Sequence, residues 1–125
     1  IRRKPMQLLT KQIKEKLLRN SKDNQLAIEY DKPTIDFKPV VKFFNPIGGA
    51  TWLITEMDEH EMMFGLCDLG PPHGSPELGS VHLKDLSEIK LMGGHLGIER
   101  DRHWSAKHSL NTYYEIAKSE GRIVD

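Results

Sequence analysis

Val40-Val41-Lys42-Phe43-Phe44, closed off by Asn45-Pro46 and Gly48-Gly49, is the stretch that decides the fold of this chain. Branched and aromatic residues crowd together there and turn-forming residues stop them, which is the pattern of a β-strand. Two further strand candidates follow at 51–57 and 62–67, separated by Asp58-Glu59-His60-Glu61. So short a connection favours an antiparallel hairpin. Next comes Gly70-Pro71-Pro72-His73-Gly74-Ser75-Pro76, a loop too rich in Gly and Pro for regular structure. After it, residues 80–83 read as a short strand and 84–89 as a helical turn. Residues 90–92 and 96–102, divided by Gly93-Gly94, complete the strand candidates.

Helices flank this region. Thr10 is an N-cap residue, and Met6, Leu9, Ile13 and Leu17 fall on one stripe at helical spacing. The turn-forming run Asn20-Ser21-Lys22-Asp23-Asn24 is expected to end that helix, with 25–38 a meandering connection. At the other end, Ser109 caps a helix over about 109–120. There Leu110, Tyr113, Tyr114 and Ala117 share a face, and Gly121 supplies the stop. The order of elements predicts an α+β fold, a twisted antiparallel sheet of about five or six strands. An N-terminal and a C-terminal helix pack on it, on one face or at its ends. The length of 125 residues suits a single domain over 1–125, with a basic arm at 1–7.

The hydrophobic fraction of 38% and the charged fraction of 29% are ordinary for a globular chain, so disordered and fibrous classes are set aside. Apolar runs fall far short of the roughly 20 residues a membrane helix needs. The basic start, Ile1-Arg2-Arg3-Lys4-Pro5, leads into no apolar stretch of signal-peptide length, which argues against export. A lone cysteine, Cys67, agrees with a reducing compartment. The expectation is a cytoplasmic protein that does not enter a membrane.

The net charge of zero conceals a strong segregation. Residues 1–44 carry 11 Lys and Arg against 5 Asp and Glu, residues 45–80 carry none against 6, and residues 81–125 carry 7 of each. Opposite blocks either neutralise one another within the fold or face different partners. The first block offers Arg2, Arg3, Lys4, Lys11, Lys14, Arg19 and Lys22 as a basic arm and helix able to neutralise nucleic-acid phosphates. A lysine-rich helix face is also commonly just solvated. In the second block, Glu56, Asp58, Glu59 and Glu61 could face a basic protein surface.

The stretch His95-Leu96-Gly97-Ile98-Glu99-Arg100-Asp101-Arg102-His103-Trp104 carries the densest set of metal-ligand types. As an extended strand it would put His95, Glu99, Asp101 and His103 on one side. Two imidazoles and two carboxylates suit zinc, manganese or iron, and a transition metal there would activate water for a hydrolase or nuclease. Spacing opposes this, because alternate strand residues lie roughly 7 Å apart and an ion needs its ligands at about 2 Å. The plainer reading is a charged edge strand with Glu99 and Asp101 paired to basic neighbours, and no cofactor. No P-loop, GxSxG elbow, HExxH or paired CxxC occurs.

Several short pieces stand in order along the chain: Leu8-Leu9-Thr10, Val41-Lys42-Phe43-Phe44 with Pro46, Thr51-Trp52 with Glu56 and Asp58, and Phe64-Gly65-Leu66. Leu78-Gly79-Ser80 with Leu83 and Leu86 follows, then Gly97-Ile98-Glu99-Arg100-Asp101 ending in His103-Trp104. In these the chain resembles the uncharacterised bacterial domain of unknown function 2958, over residues 8–104. The resemblance implies a small protein often carried by plasmids or phage-like elements, without an assigned reaction. It also implies that Arg100, with Glu56, Asp58, Glu99 and Asp101, belongs either to a fold-holding ion-pair network or to a protein-binding surface. The functional expectation is a non-enzymatic accessory binding protein of a mobile genetic element. It would engage a host or element protein, with or without nucleic acid, in DNA maintenance, transfer or evasion of host defence. The alternative is the metal-dependent hydrolase or nuclease, and a homodimer through an exposed sheet edge is a third arrangement.

Overall fold

Thr10 opens the first helix as expected: its hydroxyl accepts the Ile13 N–H at 3.1 Å, and α1 spans Lys11–Glu29. The computed structural model describes residues 7–125, so Met6 of the expected stripe and the arm residues Arg2, Arg3 and Lys4 lie outside the described residues. The helix does not stop at residues 20–24. Asn20, Ser21 and Asn24 are buried, and they extend the stripe of Ile13 and Leu17 around the same side of α1. Asn20 donates through Nδ2 to the Thr55 carbonyl at 3.0 Å. Asn24 accepts the Ile35 N–H at 2.7 Å and donates to the Ile35 carbonyl at 3.3 Å. Short polar side chains favour turns because they compete for nearby backbone, and here distant backbone satisfies them instead.

The sheet is built from β1 (Val41–Phe44), β2 (Thr51–Met57), β3 (Met62–Asp68), β4 (Glu77–His82) and β5 (Glu99–Arg100). Its order is β4-β3-β2-β1-β5, with every neighbouring pair antiparallel. Strand β4 begins at Glu77 rather than residue 80, because β3 supplies Leu66 and Gly65 as partners for Leu78 and Gly79. Residues 90–92 form no strand: a single bridge joins Leu91 to Leu96 around a 3-10 turn at Met92–Gly94. The last strand candidate contracts to the two residues of β5. Its successor Asp101 turns the chain by accepting the His103 N–H at 3.2 Å.

Helices cover both faces of the sheet, a finding that the expected helices on one face or at its ends did not include. Leu17 of α1 and Leu86 of α2 (Leu83–Ser87) pack with Phe43, Trp52, Ile54, Met57 and Met63. On the opposite face, Leu110, Tyr113 and Ala117 of α3 (Leu110–Glu120) pack with Leu53 and Leu66. Helix α3 keeps the expected caps, Ser109 at its start and Gly121 with φ 77° at its end. Among the described residues, no helix is long and apolar enough to cross a membrane.

One irregularity in β2 positions everything that follows. Ile54 pairs with Gly65 and Glu56 pairs with Phe64, so Thr55 is an extra residue, a β-bulge. Side chains alternate faces along a strand, and one extra residue reverses the phase. Trp52 and Ile54 therefore face α1, Glu56 turns to the α3 side with its partner Phe64, and Met57 returns to the α1 core. Gly65 makes room for this bend: a Cβ there would lie 1.9 Å from the Leu53 carbonyl oxygen.

Candidate functional site

Glu56, placed by the bulge, stands in a cleft of about 340 Å³. The end of α1 contributes Asn24 and Ile28, the segment after it Thr34, Ile35, Asp36 and Phe37, and the sheet Thr55, Phe64 and Leu78. Leu110 and Asn111 close the side where α3 begins. Ile28, Ile35 and Phe64 are 68%, 48% and 36% exposed, so the rim presents apolar surface to solvent.

The segment after α1 is held in place by hydrogen bonds to both neighbours. Ile35 is clasped by Asn24, the Phe37 carbonyl accepts the Leu110 N–H at 2.9 Å, and Asp36 accepts the Asn111 N–H at 3.0 Å. An aspartate at the first turn of α3 suits the positive end of that helix. These contacts make the cleft wall part of the fold rather than a loose loop.

Glu56 itself is half-buried, and its carboxylate accepts from Asn24 Nδ2 at 3.0 Å. Burial raises its pKa above the usual carboxylate value, a rise that the Asn24 hydrogen bond partly opposes. No Lys, Arg or His lines the cleft among the described residues. Among the described residues, the site is thus an apolar-rimmed pocket with two carboxylates and no cation of its own.

The other acids of the protein-binding set sit elsewhere, at the hairpin turn. Asp58 accepts the N–H groups of His60 and Met62 at 2.9 and 3.0 Å and so shapes the turn. Glu59 is exposed beside His60 at 3.6 Å. Glu61, with φ 63°, faces Lys14 of α1 at 3.7 Å. Arg100 donates to the carbonyls of Gln7 and Leu8, both at 2.8 Å, and ties the chain entering α1 to β5. Lys11, Arg19 and Lys22 are exposed on α1, outside any ion pair between described residues. The exposed surface of α1 carries Lys14 and Lys16 as well, and Glu15, Asp23 and Glu29 lie among these cations.

His95, Glu99, Asp101 and His103 are not brought together. His95 follows the 3-10 turn and His103 lies in the turn after β5, both exposed, while Glu99 pairs with Phe44 and Asp101 faces Lys42 at 3.9 Å. The alternation that would have aligned them needs an extended strand, and only Glu99–Arg100 is one. Among the described residues, no three or more His, Cys, Asp and Glu form a group that could hold a metal ion.

The sequence did not mark Asn24, Ile35 or Phe64 as site residues. The available signal was the spacing of Ile13, Leu17, Asn20 and Asn24, which continues one helical stripe through residues that usually end helices. Compared with known families, residues 8–124 match the model described as protein of unknown function, DUF2958. The tail after Trp104 therefore lies inside the family, beyond the reach of the short pieces quoted above. No curated protein and no solved structure matches the chain.

Proposed function

This chain belongs to the DUF2958 family, and from that premise we propose that it is a non-enzymatic accessory binding protein of the cytoplasm. It engages a partner protein through the Glu56 cleft, on behalf of a plasmid or phage. The observation that supports this reading is the mismatch inside the cleft: a half-buried carboxylate and apolar walls, without a cation from the described residues. Burying charge is costly unless it is paired, and an exposed apolar rim is costly to leave in water. A protein segment that is both apolar and basic relieves both.

The test is affinity capture from a bacterial host with the intact chain and with an Ile28→Glu variant, which places a charge on the exposed rim of the cleft. The expected outcome is a protein retained by the first and lost by the second. A partner retained equally by both would refute the cleft as the interface.

A second reading rests on Lys11, Arg19 and Lys22, whose cations remain exposed and outside ion pairs between described residues. They would contact nucleic-acid phosphates. Binding of duplex or single-stranded DNA must then weaken steeply as salt rises and on replacing the three by Ala. Absence of binding at low salt removes this reading.

A further inference from the structure

We propose that the group recognised in the cleft is an arginine side chain of the partner, carried on an extended apolar segment, with Glu56 as its acceptor and Phe64 as its stacking surface. The inference rests on the protein-binding reading above and specifies what occupies the cleft.

Size restricts the occupant first. A volume of about 340 Å³ lies at the small end of ligand pockets, which run roughly 300–1,000 Å³. It admits one long side chain and its immediate neighbours, not the face of a folded domain.

Charge then fixes its sign. Glu56 uses one carboxylate oxygen toward Asn24, and Asp36 uses one toward Asn111, so each retains an oxygen not engaged in those bonds. Among the described residues the lining contains no cation, so the one that pairs with them comes from the partner.

The walls choose between the two cationic side chains. Lysine carries a compact, strongly hydrated ammonium that resists entry between Ile28, Ile35 and Phe64. Arginine's planar guanidinium is more weakly hydrated, bonds carboxylate in pairs and stacks on aromatic rings. Phe64 pairs directly with Glu56 across β2 and β3 and is 36% exposed, so ring and carboxylate stand side by side at the cleft. A guanidinium seated there meets the acid with its edge and the ring with its face.

The experiment is an NMR titration of the full chain with three peptides, acetyl-Leu-Xaa-Leu-amide, in which Xaa is arginine, lysine or citrulline. Citrulline keeps the arginine shape without its charge. The expected result is saturable shifts at Asn24, Ile35, Phe64 and Asn111, with the arginine peptide binding about tenfold or more tighter than citrulline. Lysine should fall between them. Glu56→Gln should abolish the arginine preference, and Phe64→Ala, at a partly exposed position, should weaken arginine more than lysine. Equal binding of arginine and citrulline, or shifts confined to other surfaces, would overturn the inference. If no peptide binds while the captured partner is still lost with Ile28→Glu, the arginine assignment fails and the protein-binding reading stands. If the partner ignores Ile28→Glu, that reading fails as well.

Discussion

Asn24 donates to the Glu56 carboxylate at 3.0 Å, so the later turns of α1 and the bulged end of β2 hold one another across 32 residues of sequence. The bond holds a charge that burial disfavours. Glu56 has a raised pKa in the folded chain, which means the folded state binds its proton more tightly than the unfolded state does. Stability therefore falls as pH rises through the window from 4.5 to the raised value, and the penalty is full above it. Glu56→Gln removes the charge while keeping an acceptor for Asn24. Thermal melts should show a higher Tm for the variant at pH 7 and a gap that closes as the pH is lowered through 4.5. A variant less stable than the parent at neutral pH would contradict this account.

Asn20 fills a related role closer to the core. It is 2% exposed, and its amide bonds the Thr55 carbonyl at the bulge. Replacement by Ala strands a buried acceptor, at a cost of about 1–3 kcal/mol. Asn20→Leu should do no better despite its apolar side chain, because it too leaves the carbonyl unpaired. Urea titrations of the two variants decide the point, and a Leu variant as stable as the parent would show that packing, not the hydrogen bond, matters there.

Gly65 and Gly79 face each other across β3 and β4 and should respond oppositely to the same substitution. A methyl group at Gly65 meets the Leu53 backbone at 1.9 Å, whereas nothing lies within 4 Å of one at Gly79. Gly65→Ala must open the β2–β3 pairing, costing more than the roughly 1–3 kcal/mol of ordinary overpacking. Gly79→Ala should stabilise the strand by about 0.5–1 kcal/mol. Denaturation midpoints that move together would exclude the bulge geometry.

Cys67 is set apart from redox chemistry by its surroundings. Burial pushes the thiol from 9.0 up to about 11, so little thiolate exists near neutral pH. Reaction with a disulfide reagent at pH 8 should be slower in the folded chain by about two orders of magnitude than after unfolding. Equal rates would mean the thiol is not buried in solution.

The hairpin and both helix starts were legible because their signals are local: alternation in β2 and β3, a turn at 58–61, and hydroxyl caps at Thr10 and Ser109. The length of α1 was not, since Asn20 and Asn24 find partners at Thr55, Ile35 and Glu56, beyond any local window. Strand β4 was foreshortened because Glu77-Leu78-Gly79 has little strand propensity of its own and is held by β3. Glu56 was singled out as an acid, but not the cleft around it, because nothing in Ile54-Thr55-Glu56 announces a bulge. Around His95 the alternating pattern suggested a strand longer than the two residues of β5.

The bulge at Thr55 also makes the cleft depend on pairing register rather than on chemistry. Were the bulge straightened with every residue kept, so that Thr55 took the place opposite Phe64, strict alternation would swing the acid inward beneath α1 and expel Met57 from its place against Met63. Interior and recognition surface would trade occupants without a single side chain being altered. A relative of this chain that pairs through that point without the bulge should accordingly differ in what it binds, even where every residue is the same.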